Sequence, residues 1–227
     1  YIEYLEVIMR HLLKKDFIGR VCLILLLLAV FVFISAFSYA NTVSDEIADS
    51  VFRLHVIANS DSDEDQNLKY KVRDALIEYM NSICSNTTSK EEAINIAKAH
   101  IDAFYDIANN VIEENGFSYP VSIEIGEFDF PTKTYGDVSL PAGTYDALEV
   151  KIGEAVGQNW WCVMFPPLCF VDVSSGIVPD DSKEQLEESM PEEDYDLITK
   201  SDDSSDVHFK FKIVELFENL KMKLASN

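Results

Sequence analysis

Positive charge is scarce in this chain. Across 227 residues, 18 Lys and Arg stand against 40 Asp and Glu, a formal net charge of −22. A surface that negative repels phosphate backbones and anionic headgroups, so no nucleic-acid partner is expected and anionic membranes suit the soluble part poorly. Catalytic signatures are missing too. There is no Gly-x-Ser-x-Gly, no His-Glu-x-x-His and no Gly-rich phosphate loop, which argues against the motif-bearing hydrolases, zinc proteases and nucleotide binders. Internal repeats are absent. Disorder as the general state is excluded by 48% hydrophobic and 11% aromatic residues.

Metal chemistry finds no footing. Asp61-Ser62-Asp63-Glu64-Asp65 opens like a calcium loop, but Gln66 stands where such a loop needs Gly and Val72 where it needs a bidentate Glu. Helix capping explains these acids better, since short oxygen-bearing side chains satisfy the free N–H groups of a helix start. Only four cysteines occur, and Cys162 and Cys169 lack zinc-finger spacing and have no His nearby in sequence. Neither a metal nor a cofactor is expected.

The scarce cations are unevenly placed. Residues 1–40 hold Arg10, Lys14, Lys15 and Arg20 against Glu3, Glu6 and Asp16; the remaining 187 residues carry 14 basic and 37 acidic side chains. Behind these cations, Val21–Ala40 runs without a formal charge. Basic residues stay cytoplasmic, so the chain beyond this run is expected to be exported. Ser38-Tyr39-Ala40 suits signal peptidase, and a signal would run from Met9 to Ala40. The run is also about long enough to span a bilayer core of roughly 30 Å. Residues 1–40 are therefore either a cleaved signal peptide or a retained anchor that contacts the membrane.

Residues 41–49 read as a polar lead-in. Val51–Ile57 reads as a strand, and Leu68, Val72, Ala75, Leu76, Tyr79 and Met80 mark one face of a helix. Ser89 and Glu92 form a capping box for a second helix that reaches Gly116, with His100 on its apolar face as a satisfied core histidine. Beyond Pro120 the period drops to two. Val121, Ile123 and Ile125 share one face while Phe128 and Phe130 share the other, which predicts a bulge near Gly126. Leu148, Val150 and Ile152 form another strand, and a hydrophobic segment covers Trp160–Val171. The expected fold is α+β, two helices packed on a mainly antiparallel sheet, over residues 50–173. Residues 174–206 read as an acidic linker and 207–227 as a strand–helix tail. Residues 177–206 hold twelve acids against two lysines, too few apolar groups to order the segment alone.

The densest aromatic stretch is Asn159–Phe170, which holds both tryptophans. An oxidising exterior makes Cys162 and Cys169 the natural disulfide pair, enclosing a Pro166-Pro167 turn, with Cys22 in the signal and Cys84 left over. The stretch reads either as a core strand with its turn or as a rigid aromatic knob for a partner, because Trp and Phe anchors dominate interface energies. A thiol hydrolase built on Cys162 and His55 is the rival reading.

Three separated motifs carry a resemblance. Phe52-Arg53-Leu54-His55-Val56-Ile57-Ala58-Asn59-Ser60-Asp61-Ser62 with Asp65-Gln66 and Leu68–Asp74 is the first. Leu140-Pro141-Ala142-Gly143-Thr144-Tyr145 is the second, and Gly157-Gln158-Asn159-Trp160-Trp161-Cys162 through Phe165-Pro166-Pro167-Leu168-Cys169 the third. In this order they resemble the stage II sporulation protein R family over about residues 50–172. The resemblance implies a non-enzymatic signal of endospore formation. It would be made in the forespore and exported into the space between forespore and mother-cell membranes. There it would activate a membrane-embedded aspartic protease that removes the pro-sequence of the mother-cell sigma factor E. The chemistry of the residues nominates Trp160, Trp161, Phe165, Pro166 and Pro167 as apolar partner contacts, with Arg53, Asn59 and Asp61 for polar specificity. The alternative function is a secreted thiol-dependent or cell-wall hydrolase.

Overall fold

The computed structural model describes residues 2–85, 87–169 and 178–199, with side chains from residue 17 onward apart from 36, 37 and 39–41. The chain divides into two compact units, Tyr1–Thr42 and Val43–Asn227. Helix α1 is assigned to Ile2–Ser50. Within the first unit, Phe17–Ser35 has a mean hydropathy of 2.9 and wholly exposed apolar side chains, and is long and apolar enough to cross a membrane.

In the second unit the elements follow in the order β1 (Phe52–Ile57), α2 (Asp63–Ile83), α3 (Lys90–Ala99), α4 (Ile101–Glu114), β2 (Val121–Phe130), β3 (Lys133–Tyr135), β4 (Val138–Leu140), β5 (Gly143–Ile152), β6 (Asn159–Phe165), α5 (Asp180–Ser189) and α6 (Glu192–Thr199). The fold is α+β, as expected. The main sheet has the order β2-β5-β1-β6; β1 runs parallel to β5, while β1–β6 and β2–β5 are antiparallel. A small hairpin joins β3 to β4.

Local chemistry sets the helix ends. Ser62 Oγ accepts the Asp65 N–H at the start of α2, with Asp63, Glu64 and Asp65 in the first turn, where the helix dipole favours acids. Ser89 Oγ accepts the Glu92 N–H while Glu92 reaches back to the Thr88 N–H. Gly116, at φ +83°, closes α4, and Phe117 N–H returns to Ile112 O. The expected second helix is two helices, because the backbone leaves helical geometry at His100 (φ −108°, ψ 16°). His100 Nδ1 lies 2.6 Å from the Tyr79 hydroxyl, the partner anticipated for a core histidine.

Both faces of the sheet are covered. Phe52, Leu54 and Val56 of β1 point with Leu148, Val150 and Cys162 toward Leu68, Val72, Leu76 and Met80 of α2 and Phe104, Ala108 and Ile112 of α4. The opposite face packs Phe130, Tyr145, Ala147 and Val163 with Val43, Ile47 and Val51, the β3–β4 hairpin, and α5 and α6. Two cores remove the need for the expected bulge. Register between β2 and β5 is unbroken from Val121↔Ile152 to Phe130↔Gly143. Ile123 and Ile125 serve the first core, and Phe128 and Phe130 the second.

Two segments read as polar are ordered by the second core. Residues 43–50 are helical, and Val43, Ile47 and Ser50 are buried at the 3–4 spacing of a helix face, with Ala48 beside them. Within the acidic stretch, α5 and α6 bury Leu186 and Ile198, with Val178 and Met190 beside them. The stretch does not order itself alone; it docks. The expected tail, 207–227, lies outside the described residues.

Candidate interaction surface

The first motif is fastened to the third by backbone and side-chain bonds. Gly157 N–H donates to Ala58 O (3.0 Å) and Gln158 N–H to Asp61 Oδ1 (2.7 Å). Asn59 accepts the Glu154 N–H on Oδ1 and donates from Nδ2 to Asp65 Oδ2 (2.8 Å). A Cβ at Gly157 would stand 2.2 Å from Ser60 O, so only glycine permits this closeness. Burial alone would raise the Asp65 carboxyl; hydrogen bonds from Ser60 and Asn59 outweigh it and hold the group below its ordinary range. Asn59 and Asp61 thus use these oxygens within the fold.

Lys69 lies beside this junction with only 1% of its surface exposed. Its ammonium donates to Gln66 Oε1 (2.5 Å) and Gln158 O (3.0 Å), both uncharged acceptors. Burial, with Arg73 nearby, lowers its pKa.

The second face of the sheet carries a polar cluster inside an apolar frame. Arg53 is fully buried; its guanidinium lies 4.0 Å from the Phe130 ring centre and 4.6 Å from that of Tyr145. Nη2 donates to the Tyr135 hydroxyl (2.7 Å), which donates in turn to Trp161 O, while Nε and Nη1 have no hydrogen-bond partner among the described residues. His55 stacks on Trp161 with ring centres 3.7 Å apart. Its Nε2 is 2.8 Å from Asn159 Oδ1 and its Nδ1 is 3.2 Å from Glu149 Oε1. Burial holds His55 below its ordinary pKa, although Asn159 and Glu149 both favour its charged form. Lys151 pairs with Glu149 from the rim.

Cys162 and Cys169 are bridged. The loop between them is not an exposed knob. Pairing of β6 with β1 slips between Arg53↔Val163 and Phe52↔Phe165. Met164 and Phe165 consequently both join the first core, leaving Phe165 5% exposed, and Pro166 is buried as well. Pro167 is half-buried, and its carbonyl accepts the Ser182 hydroxyl of α5. Phe165 and Pro166 therefore build the interior and offer no contact surface; the same holds for Arg53. Cys162 faces the first core and His55 the second, so the strand alternation keeps apart the pair a thiol hydrolase would need.

Trp160 and Trp161 alternate across β6. Trp161 belongs to the His55 face. Trp160 is half-buried on the α2 side, meeting Tyr70 edge to face at 5.5 Å. The Arg73 guanidinium lies 4.1 Å from the Trp160 ring centre and 5.0 Å from that of Tyr70. Among the described residues of the second unit, Tyr70 and Val156 are the large apolar side chains left exposed. Sequence reading placed neither in the site. Tyr70 lies off the stripe that buries Leu68, Val72 and Leu76, and an aromatic residue off the buried stripe was the available signal.

Among the described residues, no group of three or more His, Cys, Asp or Glu side chains is placed to hold a metal ion. Residues 48–175 match the family described as Stage II sporulation protein R (spore_II_R). The chain belongs to the stage II sporulation protein R family. The Stage II sporulation protein R of Bacillus subtilis (strain 168) is 42% identical over 130 residues. That alignment covers 57% of this chain and 58% of the relative, so this chain spans little more than half the relative's length. No solved structure matches the chain. The stage II sporulation protein R match takes in every strand among the described residues and α2–α4, and stops short of α5 and α6.

Proposed function

We propose that this chain is a non-enzymatic signal of endospore formation, exported from the forespore into the intermembrane space. There it activates a membrane-embedded aspartic protease that processes the mother-cell pro-sigma-E factor. The observation that carries the reading is the family match across the whole main sheet. The apolar helix Phe17–Ser35 supports passage into or through a membrane, as a signal or an anchor. A ligand can activate such a protease by binding its active arrangement more tightly than its resting one. Of the nominated apolar contacts, Trp160, Trp161 and Pro167 keep partial exposure and are the ones available to a partner. Asn59, Asp61 and Arg53 hold the platform on which they stand.

The test combines the purified full chain with the protease reconstituted in bilayer discs and the pro-sigma substrate. Cleavage that requires the chain, with no covalent change in the chain itself, is the expected result. Cleavage at the same rate without the chain would sink the proposal. Trp160→Ala is expected to retain the fold and the Cys162–Cys169 bridge while reducing activation at least tenfold.

A further inference from the structure

We propose that Tyr70, Arg73, Trp160 and Val156 form a docking patch for a carboxylate-bearing, partly apolar segment of a protein partner; this rests on the ligand reading above and names the surface it uses.

The patch stands apart from the rest of the second unit's described surface. Tyr70 (36% exposed) and Val156 (75% exposed) are its exposed large apolar side chains. They flank one junction. Tyr70 meets Trp160 on β6, and Val156, four residues before Trp160, is tied through its N–H to Asn59 O at 3.3 Å. The backbone beneath is rigid, because Gly157, Gln158 and Lys69 lock the β5–β6 loop to the start of α2. Apolar groups displayed on a rigid base bind with a small ordering cost.

The chemistry of the occupant follows from the donors. Arg73 lies against the Trp160 and Tyr70 rings. Its Nε and Nη2 both address Asp74 Oδ1, and its Nη1 makes no hydrogen bond among the described residues. Trp160 Nε1 is covered and lacks an acceptor among the described residues. Beneath the patch, buried Lys69 holds a second cation 4.8 Å from the Tyr70 ring centre, its ammonium bonded to the neutral oxygens of Gln66 and Gln158. Two of the acids nearby are already engaged, Asp74 by Arg73 and Asp61 by the Gln158 N–H; Glu154, on the loop that carries Val156, stays exposed. The unused Arg73 donor beside two aromatic faces, with Val156 exposed on the adjoining loop, calls for a carboxylate next to an apolar side chain. In a chain of net charge −22, an acidic segment is repelled over most of the surface, so this patch would also fix its register.

Val156 gives a clean test, because a residue so exposed can be changed with little effect on the fold. Affinity of the full chain for the disc-reconstituted protease would be measured for wild type, Val156→Asp, Val156→Lys, Tyr70→Ala and Arg73→Glu at two salt concentrations. Val156→Asp and Tyr70→Ala are expected to weaken binding about tenfold or more. Val156→Lys should bind more tightly than Val156→Asp, and the Arg73→Glu loss should shrink at high salt. Wild-type affinity in both Val156→Asp and Tyr70→Ala overturns the patch and leaves the ligand reading standing. Equal binding of the two Val156 variants overturns the acidic occupant. Absence of any wild-type binding overturns the ligand reading, and the patch with it. A Tyr70→Ala defect seen equally on empty discs, or only as lost self-association, would assign the surface to lipid or to a second copy and overturn the proposal.

Discussion

The two faces of the central sheet solve the same burial problem with different materials. On the first, aliphatic and aromatic side chains of β1, β5 and β6 meet the stripes of α2, α3 and α4. On the second, β1 presents Arg53 and His55, and the cover is assembled from the end of α1, a short hairpin and two acidic helices. The first face is held chiefly by area, roughly 25 cal/mol per Å² of apolar surface removed from water. The second must also satisfy buried polar groups, and it does so incompletely: Arg53 Nε and Nη1 and one oxygen of Asp194 lack hydrogen-bond partners among the described residues. One face is built for stability, while the other carries adverse groups that a covering segment hides.

The comparison breaks most visibly at Phe104, fully buried on α4 at the centre of the first core. Phe104→Ala is expected to cost about 3–5 kcal/mol, read from the midpoint of urea unfolding. Leu186→Ala, on α5 over the second face, should cost nearer 2 kcal/mol, the low end for such a truncation. Its loss should appear as faster hydrogen exchange in α5 and α6 before global unfolding, since their docking rests on few apolar anchors. Equal global losses at the two sites would show the faces to be equivalent.

Arg53 tests the polar material directly. A cation buried against Phe130 and Tyr145 gains ring contact but makes no ion pair among the described residues. Arg53→Met keeps much of the volume and removes the unpaired donors, so stability should hold or rise by about 1–2 kcal/mol. A loss above about 3 kcal/mol would mean that the cation–ring contacts and the Tyr135 bond outweigh desolvation.

Much of the first face was legible in the sequence and little of the second. Ser62 and Ser89 announced their helices because capping is local chemistry, and Leu68, Val72 and Leu76 announced a stripe. Phe128 and Phe130 looked out of phase because a strand serving two cores changes its buried parity without any bulge. Residues 43–48 and α5–α6 looked polar because their buried side chains are few and widely spaced, and only the sheet beneath them makes those few sufficient. The candidate site divides the same way. Trp160 was visible as an unusual residue. Phe165 was nominated as a partner contact, and a register slip, invisible in sequence, turns it inward. Tyr70 and Val156 come together only through the pairing of distant motifs.

Acid separates the faces further. His55 has a folded pKa below the ordinary 6.5, chiefly through burial, with Glu149 and Lys151 as its charged neighbours. The unfolded chain binds a proton there that the folded chain refuses. This contribution is therefore intact above pH 6.5 and is lost as pH falls from 6.5 toward the folded value, at up to about 1.4 kcal/mol per pH unit for one proton. Unfolding midpoints between pH 7.5 and 5 should fall less steeply in His55→Gln than in wild type. Identical slopes would remove His55 from the account.

The smallest effect concerns the seam between α6 and the end of α1. Asp194 of α6 is buried beside Glu46, and burial together with that second carboxylate raises its pKa. An acid with a raised folded pKa opposes folding while ionised and ceases to do so as pH falls through that pKa. Asp194→Asn removes the repulsion at every pH. It should stabilise the α5–α6 cover near neutrality, by on the order of 0.5 kcal/mol, and the gain should vanish on mild acidification. Hydrogen exchange in α6 at pH 7.5 and 5 reads both halves. A gain that persists at pH 5 would trace to the new amide's hydrogen bonds, and would place the weakness of this face in its sparse apolar anchors alone.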